Sequence, residues 1–408
     1  MRLKSAALFL VFATALAGCN DTLDSFDASS IKDKVQHPLP SRILAEMKAK
    51  GMERNSPIAI RIFKEEGVLE IWKAKTNNRF DKIAEYEICA WSGRLGPKVK
   101  EGDRQAPEGF YPLSPYHLNP NSKYFLAINT GYPNRYDQAN GRNGSNLMIH
   151  GACSSSGCYS MTDAQVLEIY AFARDAFKGG QENVQLQAFP FRMTAENMAR
   201  HSHSPNYEFW QMLKVGYDNF EVTKRPPEVA VCDKKYVFNQ QPEGGKTFNA
   251  TSACPPMSTP PALQAALSSY NLAYARDFDK ALKKYEGKIW YDPTEAERKA
   301  IVADKRKGHD LAYAPTGSAL KAGKLLSIEE FNGRSSPAGN QSQAAASARA
   351  SLDRIAAAPT SASAAAAATT PAATQSQVAS VPVPQANPLA APAPVAQTKK
   401  PFWKFWQK

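Results

Sequence analysis

After its first twenty positions the 408-residue chain has no uninterrupted apolar run of the roughly 18 residues that a membrane-spanning helix needs. A helical span beyond the N-terminus is therefore not expected. Cys-x-x-Cys and His-x-x-x-His pairs are also missing, and with them the usual frameworks of a closed zinc site, which needs four ligands. Acidic residues are in deficit: 38 Asp and Glu against 50 Lys and Arg give a formal charge of +12. An excess of that sign favours anionic partners.

What is present begins with a sorting signal. Arg2 and Lys4 precede a short apolar run, Ala6 to Ala17. The run is too short to span a bilayer and reads as a secretory signal over residues 1–18. Export removes nucleic acid from the expected partners and leaves phospholipid head groups, lipopolysaccharide or a carboxylate-rich wall. Leu16-Ala17-Gly18-Cys19 has the form of a bacterial lipobox, which would make Cys19 the lipidated first residue. Ordinary cleavage after Ala17 is the alternative. Two or more acyl chains on Cys19 would anchor the protein stably. The expected compartment is the periplasm, with lipid attachment to the outer or the inner membrane. At the other end, residues 336–400 are mostly Ala, Pro, Ser and Gln, too poor in large apolar side chains to offset the entropy of ordering. They read as a disordered linker. Residues 401–408, "PFWKFWQK", alternate aromatics with lysines, a composition suited to a membrane–water interface.

Between these ends, residues 19–56 read as a leader with a helix near Ser41 to Gly51. Residues 57–240 read as a β-rich domain with long loops, and 241–335 as a helical appendage. "IAIRIFKEEGVLEIWKAK" alternates apolar residues on both sides of Glu66-Gly67, a hairpin signal. The expected fold class is mainly β with added helices. Leaving Cys19 aside, Cys89, Cys153, Cys158, Cys232 and Cys254 remain. An odd number in an oxidising compartment implies up to two disulfides and one free thiol. Cys232 and Cys254 flank a turn-rich stretch and can pair. Cys89, on an apolar strand, reads as buried and inert. His201 and His203 lie in a polar stretch and read as exposed.

The chemistry concentrates in "HGACSSSGC", residues 150–158. His150, Cys153 and Cys158 supply at most three metal ligands, so no metal or other cofactor is expected. A Cys153–Cys158 disulfide would leave His150 unexplained. A nucleophile with its base accounts for more. A cysteine attacks acyl carbon as thiolate, and histidine titrates near neutrality. His150 ends the apolar strand "NLMIH". Cys158 follows Gly157 and precedes a helix whose capping box runs from Thr162 to Gln165. Amides around Gly157, Cys158 and Tyr159 are candidates for an oxyanion hole.

"IHG" followed by "SGCYSMTD" resembles the catalytic motif of the L,D-transpeptidase (YkuD-type) domain family, and in particular its YafK-like short-spaced branch. Residues 88–115, 119–142 and 209–227 carry further similarity, so the resemblance spans roughly residues 55–240. It implies a β-sandwich-like or barrel-like domain, Cys158 as nucleophile and His150 as general base. It implies that a carbonyl near Gly151 orients the imidazole. It further implies acyl transfer at the L,D bond after meso-diaminopimelate in peptidoglycan stem peptides, without a cofactor. The thioester is then resolved by an amine of another stem or of a protein, including an outer-membrane protein or lipoprotein. Water resolves it in hydrolytic members, which release a wall-linked lipoprotein or a D-amino acid.

Two departures from the commoner family pattern matter. Only seven residues separate His150 from Cys158, and Ser160 stands where an arginine commonly follows the nucleophile. Arg135, Arg142 and Arg104 are then candidates for holding a substrate carboxylate. Trp91 and Tyr132 are candidates to line the groove, with core packing as the alternative. A non-catalytic, wall-tethering lipoprotein is a third functional reading, drawn from the two ends of the chain.

Overall fold

A computed structural model describes residues 28–305, 307 and 323–334. The signal segment, Cys19, the linker and the terminal "PFWKFWQK" lie outside the described residues. In chain order the elements are helix α1 (Ser41–Ala49), strands β1 (Ile58–Phe63), β2 (Val68–Ala74), β3 (Phe80–Glu87), β4 (Gly109–Leu113), β5 (Leu118–Asn119) and β6 (Ala127–Asn129), then α2 (Arg135–Ala139), β7 (Met148–His150), β8 (Tyr159–Ser160), α3 (Asp163–Lys178) and β9 (Val184–Phe189). They continue with α4 (Ala195–Arg200), α5 (Tyr207–Thr223), β10 (Val229–Cys232), β11 (Lys235–Phe238), β12 (Gln241–Pro242), β13 (Met257–Ser258), α6 (Pro261–Lys284), β14 (Lys288–Tyr291), α7 (Glu295–Lys305), β15 (Lys324–Ser327) and α8 (Ile328–Arg334).

Two sheets carry the domain. The larger has strand order β3-β2-β1-β9-β4, the smaller β5-β6-β7-β8. The hairpin read around Glu66-Gly67 is β1 and β2, paired antiparallel from Ile58↔Lys73 to Phe63↔Val68. All six residues of β1 are buried, because the strand is central in its sheet and covered on both faces. Helix α3 touches β1 as well as β6 and β7, joining the two sheets. Its sequence explains its start: the Thr162 hydroxyl accepts a hydrogen bond from the Gln165 amide, and Gln165 Oε1 accepts one from the Thr162 amide. The fold is thus a set of sheets with added helices.

The stretch read as a leader takes part in this fold. Leu39, Ile43, Met47 and Met52 are buried in the main core with Ile60, Ile71 and Ile83. Residues 241–335 also contain strands. β14 and β15 pair antiparallel with each other, and α6 packs on α4 and α5. The short strand "KIWY" of β14 interrupts a sequence that otherwise reads as helix, and its pairing partner lies beyond α7.

One buried ion pair organises the long loop between β3 and β4. Lys64, just past β1, is fully buried and lies 2.8 Å from Glu108 Oε1. Its ammonium also donates to the carbonyls of Arg94, Gly96 and Ala106 at 3.0, 3.1 and 3.1 Å. Glu108 accepts from the Gly96 amide and the Trp210 indole. A charge buried this deeply is costly unless every donor finds an acceptor. Here the acceptors are both ends of the loop, which is thereby closed over β1.

Candidate active site

β7 and β8 run parallel, with Ile149 opposite Tyr159 and His150 opposite Ser160. Side chains alternate along a strand, so His150 and Ser160 share a face. Cys158, one residue before β8, has the parity of Ser160 and falls on that face too. Neighbouring strands lie about 4.8 Å apart, so the pairing places His150 and Cys158 on adjacent strands of the small sheet.

His150 is buried, and its ring Nδ1 lies 2.6 Å from the Gly151 carbonyl oxygen. A carbonyl only accepts, so Nδ1 carries the proton and Nε2 keeps its lone pair. The Tyr124 ring stacks on the imidazole, centroids 4.5 Å apart. Burial pushes the His150 pKa below its ordinary value, and the Gly151 hydrogen bond opposes this in part. Cys158 is a free thiol of intermediate exposure that donates to the Asn146 carbonyl at 3.6 Å. Burial raises its pKa, and the Met148 backbone and the charge of Lys98 oppose the rise. The two shifts favour a resting pair of neutral imidazole and thiol.

The other cysteines are paired. Cys89 is joined to Cys153, and Cys232 to Cys254. Reading Cys89 as a buried, inert residue is corrected: it lies beside β8, where its amide donates to the Ser160 carbonyl, and this sets it against the 151–157 loop. The Cys153–Cys158 disulfide is overturned by the same bond, which also takes Cys153 out of any metal-ligand set.

The expected amides behave differently from one another. Gly157 has a φ of +119°, and a Cβ there would stand 3.2 Å from Leu147 and 3.4 Å from the Gln105 carbonyl, so only glycine fits. The Gly157 and Cys158 amides both point at Ser155 Oγ, at 3.3 and 3.1 Å. A hydroxyl oxygen thus sits in the two-donor cradle. The Tyr159 amide belongs to a residue of the β7–β8 ladder, and the Tyr159 hydroxyl donates to the Pro107 carbonyl. The Gly151 amide is turned away, toward the carbonyls of Tyr124 and Leu126. Gly151 serves the site through its carbonyl instead.

Of the cations named from sequence, Arg142 is committed to Asp137 at 3.2 Å and packs over Tyr136 and Phe209. Arg135 is exposed and lines a separate cavity of about 870 Å3 with His117, Tyr236 and Phe248, which includes neither His150 nor Cys158. Arg104 belongs to the loop beside Gly157, to which it offers its backbone. Trp91 is buried, with Lys64 and Arg298 against its ring. Tyr132 is buried too, its hydroxyl donating to the Lys98 carbonyl. His201, read as exposed, is buried: the turn after α4 folds it onto Phe191, with Glu65 at 3.2 Å. His203 is half-buried.

Sequence reasoning missed Tyr124, Ser155 and the Lys98–Asp103 pair. Lys98 and Asp103 fall in "GPKVKEGDR", which reads as a solvated loop, and no spacing rule marks a lysine there as buried. Their placement follows from the closed 92–108 loop.

A profile of the L,D-transpeptidase catalytic domain (YkuD) matches residues 60–184. The protein of Escherichia coli strain K12 named "Putative L,D-transpeptidase YafK" is 47% identical over 185 residues, which is 45% of this chain and 75% of that protein. The chain belongs to the L,D-transpeptidase family. Its counterpart in Escherichia coli O157:H7 matches at the same identity and coverage. Among solved structures, the helical cell shape determining protein Pgp2 of Campylobacter jejuni is 18% identical, with a TM-score of 0.26 over 49% of this chain and 82% of Pgp2. Bd1075 of Bdellovibrio bacteriovorus is 22% identical, with a TM-score of 0.22 over 33% of this chain and 49% of Bd1075. At those scores the likeness carries no argument about this molecule. Family membership supports an enzyme acting on peptidoglycan.

Proposed function

We propose that this L,D-transpeptidase family member is a cysteine acyltransferase acting on the L,D bond after meso-diaminopimelate in peptidoglycan stem peptides. The observation that supports the reading is the pairing of β7 with β8, which sets His150 opposite Ser160 and leaves Cys158 one residue before β8. His150 Nε2 takes the thiol proton as Cys158 Sγ attacks the acyl carbon. The imidazolium returns that proton to the departing amine, and a thioester remains. An amine of a second stem or of a protein then attacks the thioester, with His150 again accepting a proton. The negative oxygen of each tetrahedral state needs donors. The Gly157 and Cys158 amides suit that task once the Ser155 hydroxyl rotates away.

A specific feature also supports hydrolysis. Ala152, Ser154, Ser156 and Asn146 around the thiol are exposed, so water reaches the thioester, and water exclusion decides between transfer and hydrolysis. Incubating the protein with tetrapeptide muropeptides separates the outcomes. Cross-linked dimers or exchanged D-amino acids indicate transfer, and free acid indicates hydrolysis. Product formation that survives Cys158→Ala would overturn the mechanism.

The same reading places the protein in the periplasm, anchored through a lipid on Cys19 and touching a membrane with residues 401–408. Mass analysis of the mature N-terminus tests the anchor. An unmodified terminus would remove it.

A further inference from the structure

Ser160, two residues beyond Cys158, brings no charge to the thiol, and the arginines outside the 92–108 loop are engaged or face elsewhere. Lys98 is a buried cation of that loop. Lys98 is 3% exposed, and its Nζ lies 2.6 Å from Asp103 Oδ1 and 3.0 Å from the Lys100 carbonyl. Asp103 in turn accepts from the amides of Val99, Lys100 and Gln105 at 2.8, 3.0 and 2.9 Å. Four donors on one carboxylate make a rigid knot with the lysine as its charged end. The knot is stapled to the segment that runs into β7: the Glu101 amide donates to Asn143 Oδ1, and the Asn143 amide to the Val99 carbonyl. The Lys98 stem packs so closely on Gly144 that a Cβ there would meet its Cε at 2.5 Å. Two residues on, the Asn146 carbonyl holds the Cys158 thiol.

We propose that Lys98 is the cation that stabilises the Cys158 thiolate, acting through the nucleophile rather than on substrate. The inference rests on Cys158 as the nucleophile and adds the charge that makes it one. Desolvating a lysine is expensive, and this one packs on Gly144, two residues before the carbonyl that holds a half-buried thiol which must become an anion. The groups facing that thiol are few. His150 lies on the adjacent strand under Tyr124, Asp163 holds the Ala152 amide at the start of α3, and the loop brings Lys98, Asp103 and Arg104. Among these, Lys98 opposes the rise that burial causes in the thiol's pKa. Asp103 fixes the ammonium in place, and its own carboxyl stays ionised: burial opposes this, but the Lys98 bond and the three amides outweigh it.

The test titrates the thiol without substrate. The rate of iodoacetamide alkylation of Cys158 is followed against pH in the full chain and in Lys98→Gln, Lys98→Met and Lys98→Arg. Glutamine keeps the hydrogen bonds and removes the charge, arginine keeps the charge, and intact disulfides with native circular dichroism establish folding. The alkylation midpoint is expected to rise by about one pH unit in Lys98→Gln, with kcat on muropeptides falling about tenfold at neutral pH and KM little changed. Lys98→Arg is expected to restore both. A folded Lys98→Gln or Lys98→Met protein with the wild-type midpoint overturns the proposal, and so does a folded Lys98→Arg protein with the midpoint of Lys98→Gln. A midpoint that moves while Cys158→Ala still forms product would instead overturn the acyl-transfer reading and leave Lys98 as the thiol's partner.

Discussion

Cys89 and Cys153, 64 residues apart in sequence, are joined across the edge of β8. The bond ties the loop between His150 and Cys158 to the segment that extends the small sheet at Cys89 and Ala90. Closing a loop of this length stabilises a fold by about 4 kcal/mol in the chain-entropy view. Its position adds a second effect, because the loop it restrains carries the amide cradle. A paired Cys89→Ser, Cys153→Ser variant is expected to lose at least tenfold in kcat as well as melting temperature, since small misplacements of reacting groups are expensive. The Cys232–Cys254 bond ties the end of β10 to the segment between β12 and β13. Its removal is expected to lower melting temperature and leave kcat within about threefold. Turnover and thermal melts of the two variants check the contrast. Equal losses of kcat would show that the first disulfide has no special relation to the site.

The directions of the His150 and Cys158 shifts fix a pH profile. Neutral imidazole is the base, so activity is lost only as pH falls through the His150 pKa. Burial holds that pKa below the ordinary value of about 6.5, so kcat/KM is expected to stay flat from neutral pH into the mildly acidic range. Cys158 is pushed the other way, so alkylation in the absence of substrate is expected to be slow at neutral pH and to rise under alkaline conditions. A kcat/KM limb at or above pH 7, or fast alkylation at pH 6, would contradict the neutral resting pair.

His150 and Cys158 stand out in the sequence because their signals are local. An apolar strand ends in a histidine, a glycine precedes a cysteine, and a capping box opens the next helix within a dozen residues. The β1–β2 hairpin was legible for the same reason. What was not legible is set by pairing across the fold. Cys89 could not be matched to Cys153 without knowing that residues 89–90 lie beside β8. Lys98 reads as solvated, because nothing in a run of loop residues reports that the buried Lys64–Glu108 pair closes the loop around it. His201 sits among polar neighbours in sequence and against Phe191 and Glu65 in space. Arg142 was a free cation on paper, and Asp137 takes it in the fold.

Gly151 is a further test of the imidazole's orientation. A Cβ at this position would stand 2.3 Å from Asp163 Oδ1 and 2.9 Å from the Tyr124 carbonyl oxygen. The backbone of Tyr124 cannot retreat cheaply, because Gly151 itself donates to it. Gly151→Ala is therefore expected to shift the carbonyl that holds His150 Nδ1 and to lower kcat by ten- to a hundredfold, with destabilisation of about 1–3 kcal/mol. Turnover together with the His150 ring resonances in a nuclear magnetic resonance spectrum checks this. Unchanged ring nitrogen shifts and unchanged kcat would show that the carbonyl contact does not set the tautomer.

Asp292 connects the β14–β15 region to the 92–108 loop. Its Oδ2 accepts from the Leu95 amide at 3.0 Å, its backbone carbonyl accepts from the Arg94 guanidinium at 2.7 Å, and its carboxylate also pairs with Arg298. Arg298 in turn lies over the Trp91 ring. Residues read as an appendage of unknown role thus grip the loop that carries Lys98. Asp292→Ala leaves the Leu95 amide without its acceptor and removes one partner of Arg298, and a lost acceptor costs about 1–3 kcal/mol. Because Lys64 still ties Arg94, Gly96 and Ala106, the loop is expected to loosen without unfolding. Hydrogen exchange should quicken at residues 94–105 and not at β1, and kcat should fall about three- to tenfold with melting temperature little changed. Faster exchange confined to residues 288–327, with wild-type turnover, would show that the β14–β15 pair merely rests on the domain.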